Sequence, residues 1–174
     1  MLEIEIKAYC DDLDRVVKGV ISLGGSLLKR TTERDIYFNH PCRDFANTDE
    51  AFRIRIEDKK KILTYKGPKL DKKTKTRFEE EVEFNDFDSM RSILLNLGFV
   101  EVDEVVKKRD MYILNDILIC IDRVEDVGHF VELEKRGIDK VKVKVENELF
   151  NLAKKIGISR FESKSYLELK LEKK

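Results

Sequence analysis

Cysteine is scarce in this sequence: Cys10, Cys42 and Cys120 are spread over 174 residues. No two of them lie close enough along the chain for a zinc knuckle or a CxxC redox motif, so neither kind of site is indicated. A chain with few cysteines and no disulfide pattern is typical of a reducing compartment. We therefore expect a cytoplasmic protein with inert thiols.

Long apolar runs and an excess of one charge are also missing. No apolar stretch approaches the roughly 20 residues that span a bilayer, and Glu3 and Glu5 stand where a signal peptide would carry its basic and apolar segments. The 35 Lys and Arg residues balance the 35 Asp and Glu residues. Because a neutral chain has no overall field that attracts polyanions, we expect neither nucleic acid nor membrane as a partner.

Alternation of apolar and polar residues is the dominant pattern that is present, and it predicts short β-strands. Three other segments have helical spacing instead, and acidic cap candidates precede the first two. The start of the third, through Val141, Val143 and Val145, also fits a strand. The predicted strands are 2–7, 35–38, 52–57, 62–66, 77–84, 107–113, 117–122 and 130–134, and the predicted helices are 13–21, 90–97 and about 139–156.

One order of features occurs twice along the chain. Residues 13–38 and 87–114 each contain a helix, a Leu-Gly pair and a strand with an Arg-Asp-x-Tyr sequence, and each follows an acidic alternating strand. The repeat favours two halves of four strands each, within one α+β domain that covers residues 1–174. The alternative is that many α+β proteins contain helix, glycine and strand twice without being duplicated.

The charged faces of the predicted strands are segregated by sign. Residues two apart in a strand point to the same side. A face that is simply wetted by solvent is the ordinary explanation for one such strand, but like charges side by side are destabilising, so a solvated face usually mixes both signs. The acidic pairs are Glu3/Glu5 and Glu132/Glu134, and the basic pairs are Arg53/Arg55 and Lys107/Arg109.

A metal-bound triphosphate is a ligand that needs such segregation. Hard divalent cations such as Mg²⁺ or Mn²⁺ take carboxylate oxygens, whereas phosphate oxygens bind Arg and Lys. Enclosed charges are costly unless they are hydrated or compensated by counter-charge. The pattern therefore predicts a charged lumen, with carboxylates concentrated on the first and last strands and cations on the strands between.

The N-terminal segment Glu3-Ile4-Glu5-Ile6-Lys7 resembles the ExExK motif of the CYTH superfamily, the triphosphate tunnel metalloenzymes. Further segments resemble this family in the expected order, so the resemblance covers almost the whole chain. They are the strand with Arg53 and Arg55, residues 63–68, the acidic strand 77–83, residues 107–109, Asp122, residues 128–134 and residues 163–169. The resemblance implies a closed eight-stranded antiparallel β-barrel with helices packed outside.

The resemblance also implies roles for individual residues. Glu3, Glu5 and Lys7 are expected to be catalytic, and Arg77, Glu79 and Glu81 are expected to face the lumen. The implied ligands of the metal, two Mg²⁺ or Mn²⁺ ions, are Glu3, Glu5, Asp122, Glu132 and Glu134. The implied phosphate-binding residues are Lys7, Arg53, Arg55, Lys66, Arg77, Lys107, Arg109 and Lys164.

Three functions remain open on the sequence. The first is a class IV adenylate cyclase-like enzyme that converts ATP to cyclic AMP and pyrophosphate. The second is a hydrolase of thiamine triphosphate, tripolyphosphate or a nucleoside triphosphate, and the third is a non-catalytic nucleotide or polyphosphate binder. The expected partner is a nucleoside or organic triphosphate, and a homodimer formed through an exposed barrel flank is compatible with this interpretation.

Overall fold

The fold is a closed antiparallel barrel of eight strands, seen in a computed structural model that describes residues 2–70, 77–137 and 142–174. All eight predicted strands are confirmed, and β2 and β6 are much longer than predicted. The strands are β1 (Leu2–Tyr9), β2 (Ser26–Asn39), β3 (Ala51–Glu57), β4 (Lys60–Lys66), β5 (Arg77–Phe84), β6 (Val100–Leu114), β7 (Ile117–Val124) and β8 (Gly128–Gly137).

The order of the strands around the barrel is β1-β5-β4-β3-β2-β6-β7-β8. Each half of the chain therefore contributes a three-stranded meander, and its first strand pairs with the meander of the other half. β1 pairs with β8 along its whole length, but it meets β5 at only two residue pairs. The long strands β2 and β6 join the two halves, so the predicted repeat corresponds to two interlocked halves.

The described residues form five helices: α1 (Leu13–Ser22), α2 (Phe45–Thr48), α3 (Phe87–Asn96), α4 (Lys142–Lys155) and α5 (Tyr166–Leu171). The Asp12 side chain caps α1 and the Asp86 side chain caps α3, each being one of the two acidic cap candidates that precede its predicted helix, Asp11/Asp12 and Asp86/Asp88. Val143 and Val145 belong to α4, so the helical reading of the third segment is correct there, and its first residues, 139–141, lie outside the described residues. α2 and α5 were not predicted.

The largest apolar cluster lies outside the barrel, between its strands and the helices. The outward faces of β1, β7 and β8 pack under α1 and α4, where Ile4, Ile119, Leu133 and Leu149 are almost fully buried. This burial removes the apolar faces of β1, β7 and β8 from water and leaves their inward faces free to carry charge. In the described part of the chain, no helix combines the length and apolar character needed to cross a bilayer.

Candidate active site in the barrel lumen

A cavity of about 250 Å³ occupies the barrel lumen and is lined by side chains from all eight strands and from the start of α5. Ten residues that the sequence assigned to metal or phosphate line this one cavity, together with Glu79 and Glu81. The ten are Glu3, Glu5, Arg53, Arg55, Lys66, Arg77, Lys107, Arg109, Glu132 and Glu134.

Three predicted site residues do not line the cavity. Asp122 is fully buried, where its carboxylate accepts hydrogen bonds from Arg109 Nε at 2.7 Å and from the Tyr166 hydroxyl at 2.7 Å. Lys7 is also buried, and its ammonium group donates to the Lys164 carbonyl and lies 4.2 Å from the centroid of the Tyr166 ring. The Lys164 ammonium group points outward and pairs with Glu172 at 2.6 Å. Lys164 thus contacts a predicted site residue, Lys7, through its backbone carbonyl.

One wall of the cavity is acidic because β1 and β8 are neighbours. Glu5 and Glu134 are cross-strand partners, and Glu3 lies two residues before Glu5 on the same face. Burial raises the pKa of Glu134 to about 8, and the nearby charges of Glu3 and Glu5 add to this shift. Burial also raises the pKa of Glu3, with Lys66 opposing. These carboxylates repel one another, so a cation between them would relieve the repulsion.

The donor atoms of this wall suit a hard divalent cation, because carboxylate oxygens are the ligands that Mg²⁺ and Mn²⁺ prefer. Among the residues that the structure describes, no three His, Cys, Asp or Glu side chains are already gathered into a metal-binding group. Glu132, the fourth carboxylate of the wall, is hydrogen-bonded by Arg109. A bound ion would therefore draw these side chains inward from the positions described.

The opposite wall is cationic and is formed by β3 and β6. Arg53, Arg55, Lys107 and Arg109 project from these two strands into the lumen, on either side of β2. Arg53 Nε is buried and has no hydrogen-bond partner among the described residues. An unpaired buried donor is costly, so this nitrogen marks a position where a ligand acceptor would be stabilising.

Two carboxylates of the cationic wall, Glu33 and Asp35, were missed by the sequence analysis. Both lie on β2 and are almost completely buried. Burial alone would raise their pKa values. The surrounding cations lower the pKa of Glu33 to about 2 and that of Asp35 well below its usual range. The prediction of cations on the strands between the first and the last is thus incomplete for β2, which adds two buried carboxylates. The signal was the alternation of Glu33, Asp35 and Tyr37 upstream of and within the predicted strand.

Two further cations, Lys66 and Arg77, lie next to the acidic wall. Lys66 reaches Glu3 at 3.3 Å and Glu79 at 2.7 Å, so it joins β4 to the acidic wall. Arg77 sits at the β1–β5 seam, opposite Glu3 in register, and reaches Asp49 at 3.6 Å. Lys66 and Arg77 therefore lie where a phosphate chain that runs along the lumen would contact them.

Aromatic residues close one end of the lumen. Tyr166, at the start of α5, packs its ring 4.9 Å from that of Phe130 and lines the cavity. Tyr37 is buried and also lines the cavity. Tyr112 packs in the outer core. His129 does not line the cavity, whereas its strand neighbours Glu132 and Glu134 do.

The chain is similar to a family model, to two named proteins and to a solved structure. The family model described as the CYTH domain matches residues 1–166. A Methanocaldococcus jannaschii protein that is provisionally named adenylate cyclase is 47% identical over 98% of this chain and 99% of its own. Adenylate cyclase CyaB of Aeromonas hydrophila is 28% identical over 96% of this chain and 87% of its own. A solved structure of a Pyrococcus horikoshii protein is 40% identical, with a TM-score of 0.93 over 99% of both chains.

Proposed function

The chain belongs to the CYTH domain family, and from that membership we propose that it is a divalent-metal-dependent enzyme that converts ATP to cyclic AMP and pyrophosphate. The observation that carries the proposal is the pair of opposed walls in one closed lumen. Glu3, Glu5 and Glu134 face one side of the cavity, and Arg53 and Arg55 face another. The names of the two relatives at 47% and 28% identity support the choice of reaction.

The size of the cavity suits a phosphate chain. Its volume of about 250 Å³ is below the roughly 300–1,000 Å³ of pockets that enclose a whole drug-sized ligand. The triphosphate would therefore lie in the lumen, with the nucleoside toward its mouth. Arg53, Arg55 and Lys107 would bind phosphate oxygens. The buried Arg53 Nε, which has no hydrogen-bond partner among the described residues, supports this role.

The reaction needs positioning and neutralisation of charge more than it needs a covalent nucleophile. The 3′-hydroxyl of ATP would release its proton to water as its oxygen forms a bond to the α-phosphorus. The bond from that phosphorus to the bridging oxygen of the β-phosphate would break, and pyrophosphate would leave with that oxygen. The cationic wall would neutralise the charge that develops on pyrophosphate. A divalent ion on Glu3, Glu5 and Glu134 would supply Lewis-acid polarisation of phosphoryl oxygens. A pure phosphate binder gains little from so many carboxylates.

Product analysis tests the reaction. The protein is incubated with Mg²⁺ or Mn²⁺ and, separately, with ATP, thiamine triphosphate and tripolyphosphate, and the products are resolved by chromatography. Cyclic AMP together with pyrophosphate is the expected result. Orthophosphate without cyclic AMP would replace the cyclase with a hydrolase, and metal-dependent binding without turnover would replace the enzyme with a sensor.

A matched pair of variants tests the acidic wall. Glu5→Gln is expected to lower metal-dependent turnover by about 100-fold or more, because a lumenal carboxylate that holds the metal is lost. Glu83→Gln serves as the control, since Glu83 is 58% exposed and pairs with Lys60. Wild-type activity in both variants would remove Glu5 from the metal site.

A further inference from the structure

Asp35 is held by three cations in the middle of the phosphate-facing wall. Its carboxylate accepts two hydrogen bonds from Arg55, from Nε at 2.7 Å and from a terminal nitrogen at 2.8 Å. Arg53 approaches the same carboxylate at 3.2 Å and Lys107 at 3.1 Å. Asp35 has no exposed surface. It is therefore a fixed internal charge that no solvent reaches.

Glu33 lies two residues before Asp35 on the same face of β2, and it is also surrounded by cations. Its carboxylate lies 3.0 Å from Arg55, 2.8 Å from Lys107 and 3.8 Å from Arg109. Unlike Asp35, Glu33 lines the cavity itself. Four cations therefore share two carboxylates, and the wall that faces the phosphates is only partly positive.

These two carboxylates have a different environment from the acidic wall. Glu3, Glu5 and Glu134 crowd one another on β1 and β8, whereas Glu33 and Asp35 are surrounded by cations on β2, β3 and β6. Cations keep both of them ionised, since the pKa of Glu33 is lowered to about 2 despite its burial. Neither is available to a metal ion, because its oxygens already face guanidinium and ammonium groups.

A triphosphate without metal would thus meet negative charge on two sides. Phosphate oxygens close to Arg55 and Lys107 also lie close to Glu33 and Asp35, and the acidic wall repels the phosphate chain from across the lumen. A metal-bound triphosphate has a smaller net charge and places its cation against the acidic wall. The negative charges of Glu33 and Asp35 therefore weaken binding of the metal-free triphosphate more than binding of the metal-bound triphosphate.

We propose that Glu33 and Asp35 are specificity-determining residues that make triphosphate binding conditional on its metal. They do so by partly neutralising the cationic wall while holding Arg53, Arg55 and Lys107 in place. This inference rests on the proposed function, because it takes the lumen to be a metal–triphosphate site. A purely structural role for these residues predicts a different result. If they determine specificity, loss of either charge should strengthen binding of the triphosphate without its metal.

Calorimetric titration with tripolyphosphate tests this role, once in excess EDTA and once with Mn²⁺. The variants are Asp35→Asn and Glu33→Gln, each of which removes a charge and keeps the shape of the side chain. Both are expected to bind tripolyphosphate in EDTA about tenfold more tightly than the wild type, because a buried negative charge a few ångströms from the ligand is gone. The ratio of affinities with and without Mn²⁺ should fall by a similar factor.

The control is Asp110→Asn, which makes the same chemical change on the outward face of β6. Asp110 pairs with Arg123 at 3.2 Å and with Arg30 at 3.5 Å, and it does not line the cavity. Its affinity for tripolyphosphate should match that of the wild type under both conditions. Affinity in EDTA that is unchanged or weaker in Asp35→Asn and Glu33→Gln would overturn the inference.

The same titrations distinguish failure of the proposed metal–triphosphate site from failure of the role of Glu33 and Asp35. If the wild type fails to bind tripolyphosphate even with Mn²⁺, the proposed metal–triphosphate site is itself wrong. If the wild type binds with Mn²⁺ and the variants gain nothing in EDTA, only the role of Glu33 and Asp35 is wrong. Should Asp35→Asn give no folded protein, Glu33→Gln decides, because it retains the two hydrogen bonds between Arg55 and Asp35.

Discussion

Glu5 and Glu134 lie directly opposite each other on the adjacent strands β1 and β8, with both carboxylates directed into the lumen. Two like charges in cross-strand register destabilise a sheet. Both carboxylates line the cavity and Glu5 is buried, which indicates that a ligand belongs to the charge balance of the fold. The free protein and the ligand-bound protein should therefore respond differently to pH.

Replacing Glu134 by Gln should remove a pH-dependent loss of stability. The pKa of Glu134 is raised from 4.5 in the unfolded chain to about 8 in the folded protein. Between these values the folded state holds a proton that the unfolded state has released, so stability is greatest below the lower value and falls as the pH rises to the upper one. The variant should melt about 4 °C or more above the wild type at about pH 8.5 and close to it at about pH 5.

Melting curves in EDTA over this pH range give the measurement, with Glu83→Gln as the exposed control. Added Mn²⁺ should stabilise the wild type more at high pH than at low pH, because the metal and the proton compete for the same carboxylates. If the difference in melting temperature between Glu134→Gln and the metal-free wild type does not grow as the pH rises, the raised pKa of Glu134 is wrong.

Replacing Arg55 by Ala should weaken substrate binding. The substitution removes a buried guanidinium group that lines the cavity and leaves Asp35 without its two-pronged partner. We expect KM for the triphosphate to rise at least roughly 30-fold, the equivalent of about 2 kcal/mol, and the melting temperature of the free protein to fall.

Steady-state kinetics on Arg55→Ala and Arg34→Ala provide the comparison. Arg34 lies on the outer face of β2, where it is 51% exposed and pairs with Glu104. Its removal should leave KM unchanged, since exposed ion pairs contribute little. An unaltered KM in Arg55→Ala would exclude Arg55 from the phosphate site.

Replacing Tyr166 by Phe should destabilise the protein through one lost hydrogen bond. The Tyr166 hydroxyl donates to the fully buried Asp122 carboxylate at 2.7 Å. Its loss should lower the free energy of unfolding by about 1.5–3 kcal/mol, because a hydrogen bond to a buried charge is removed. Denaturant titration measures this difference.

Tyr112→Phe is the matched control for that substitution. Tyr112 is as buried as Tyr166, and its hydroxyl has no hydrogen-bond partner within the described ranges. Tyr112→Phe should lower the free energy of unfolding by much less than Tyr166→Phe does. Equal stability of Tyr166→Phe and the wild type would mean that Arg109 alone satisfies Asp122.

The local pattern of residues was enough to predict most elements of the fold. Alternation identified every strand, and Asp12 and Asp86 marked two helix starts, because side-chain direction and capping depend on residues close together in the chain. The same alternation showed that Glu3 shares a face with Glu5 and Arg53 with Arg55. It also showed that these faces differ in sign, which depends on the residues alone.

Only the tertiary structure decided which faces meet. The pairing of β1 with β8 sets Glu5 against Glu134, although these residues are far apart in the chain, and no local signal encodes such a pairing. The same long-range packing buries Asp122 against Arg109 and Tyr166, turns the Lys164 side chain outward and places Glu33 and Asp35 among the cations of β3 and β6. The sequence determined that the strands carry segregated charge, and closure of the barrel decided which charges compensate one another, because that depends on distances in space rather than along the chain.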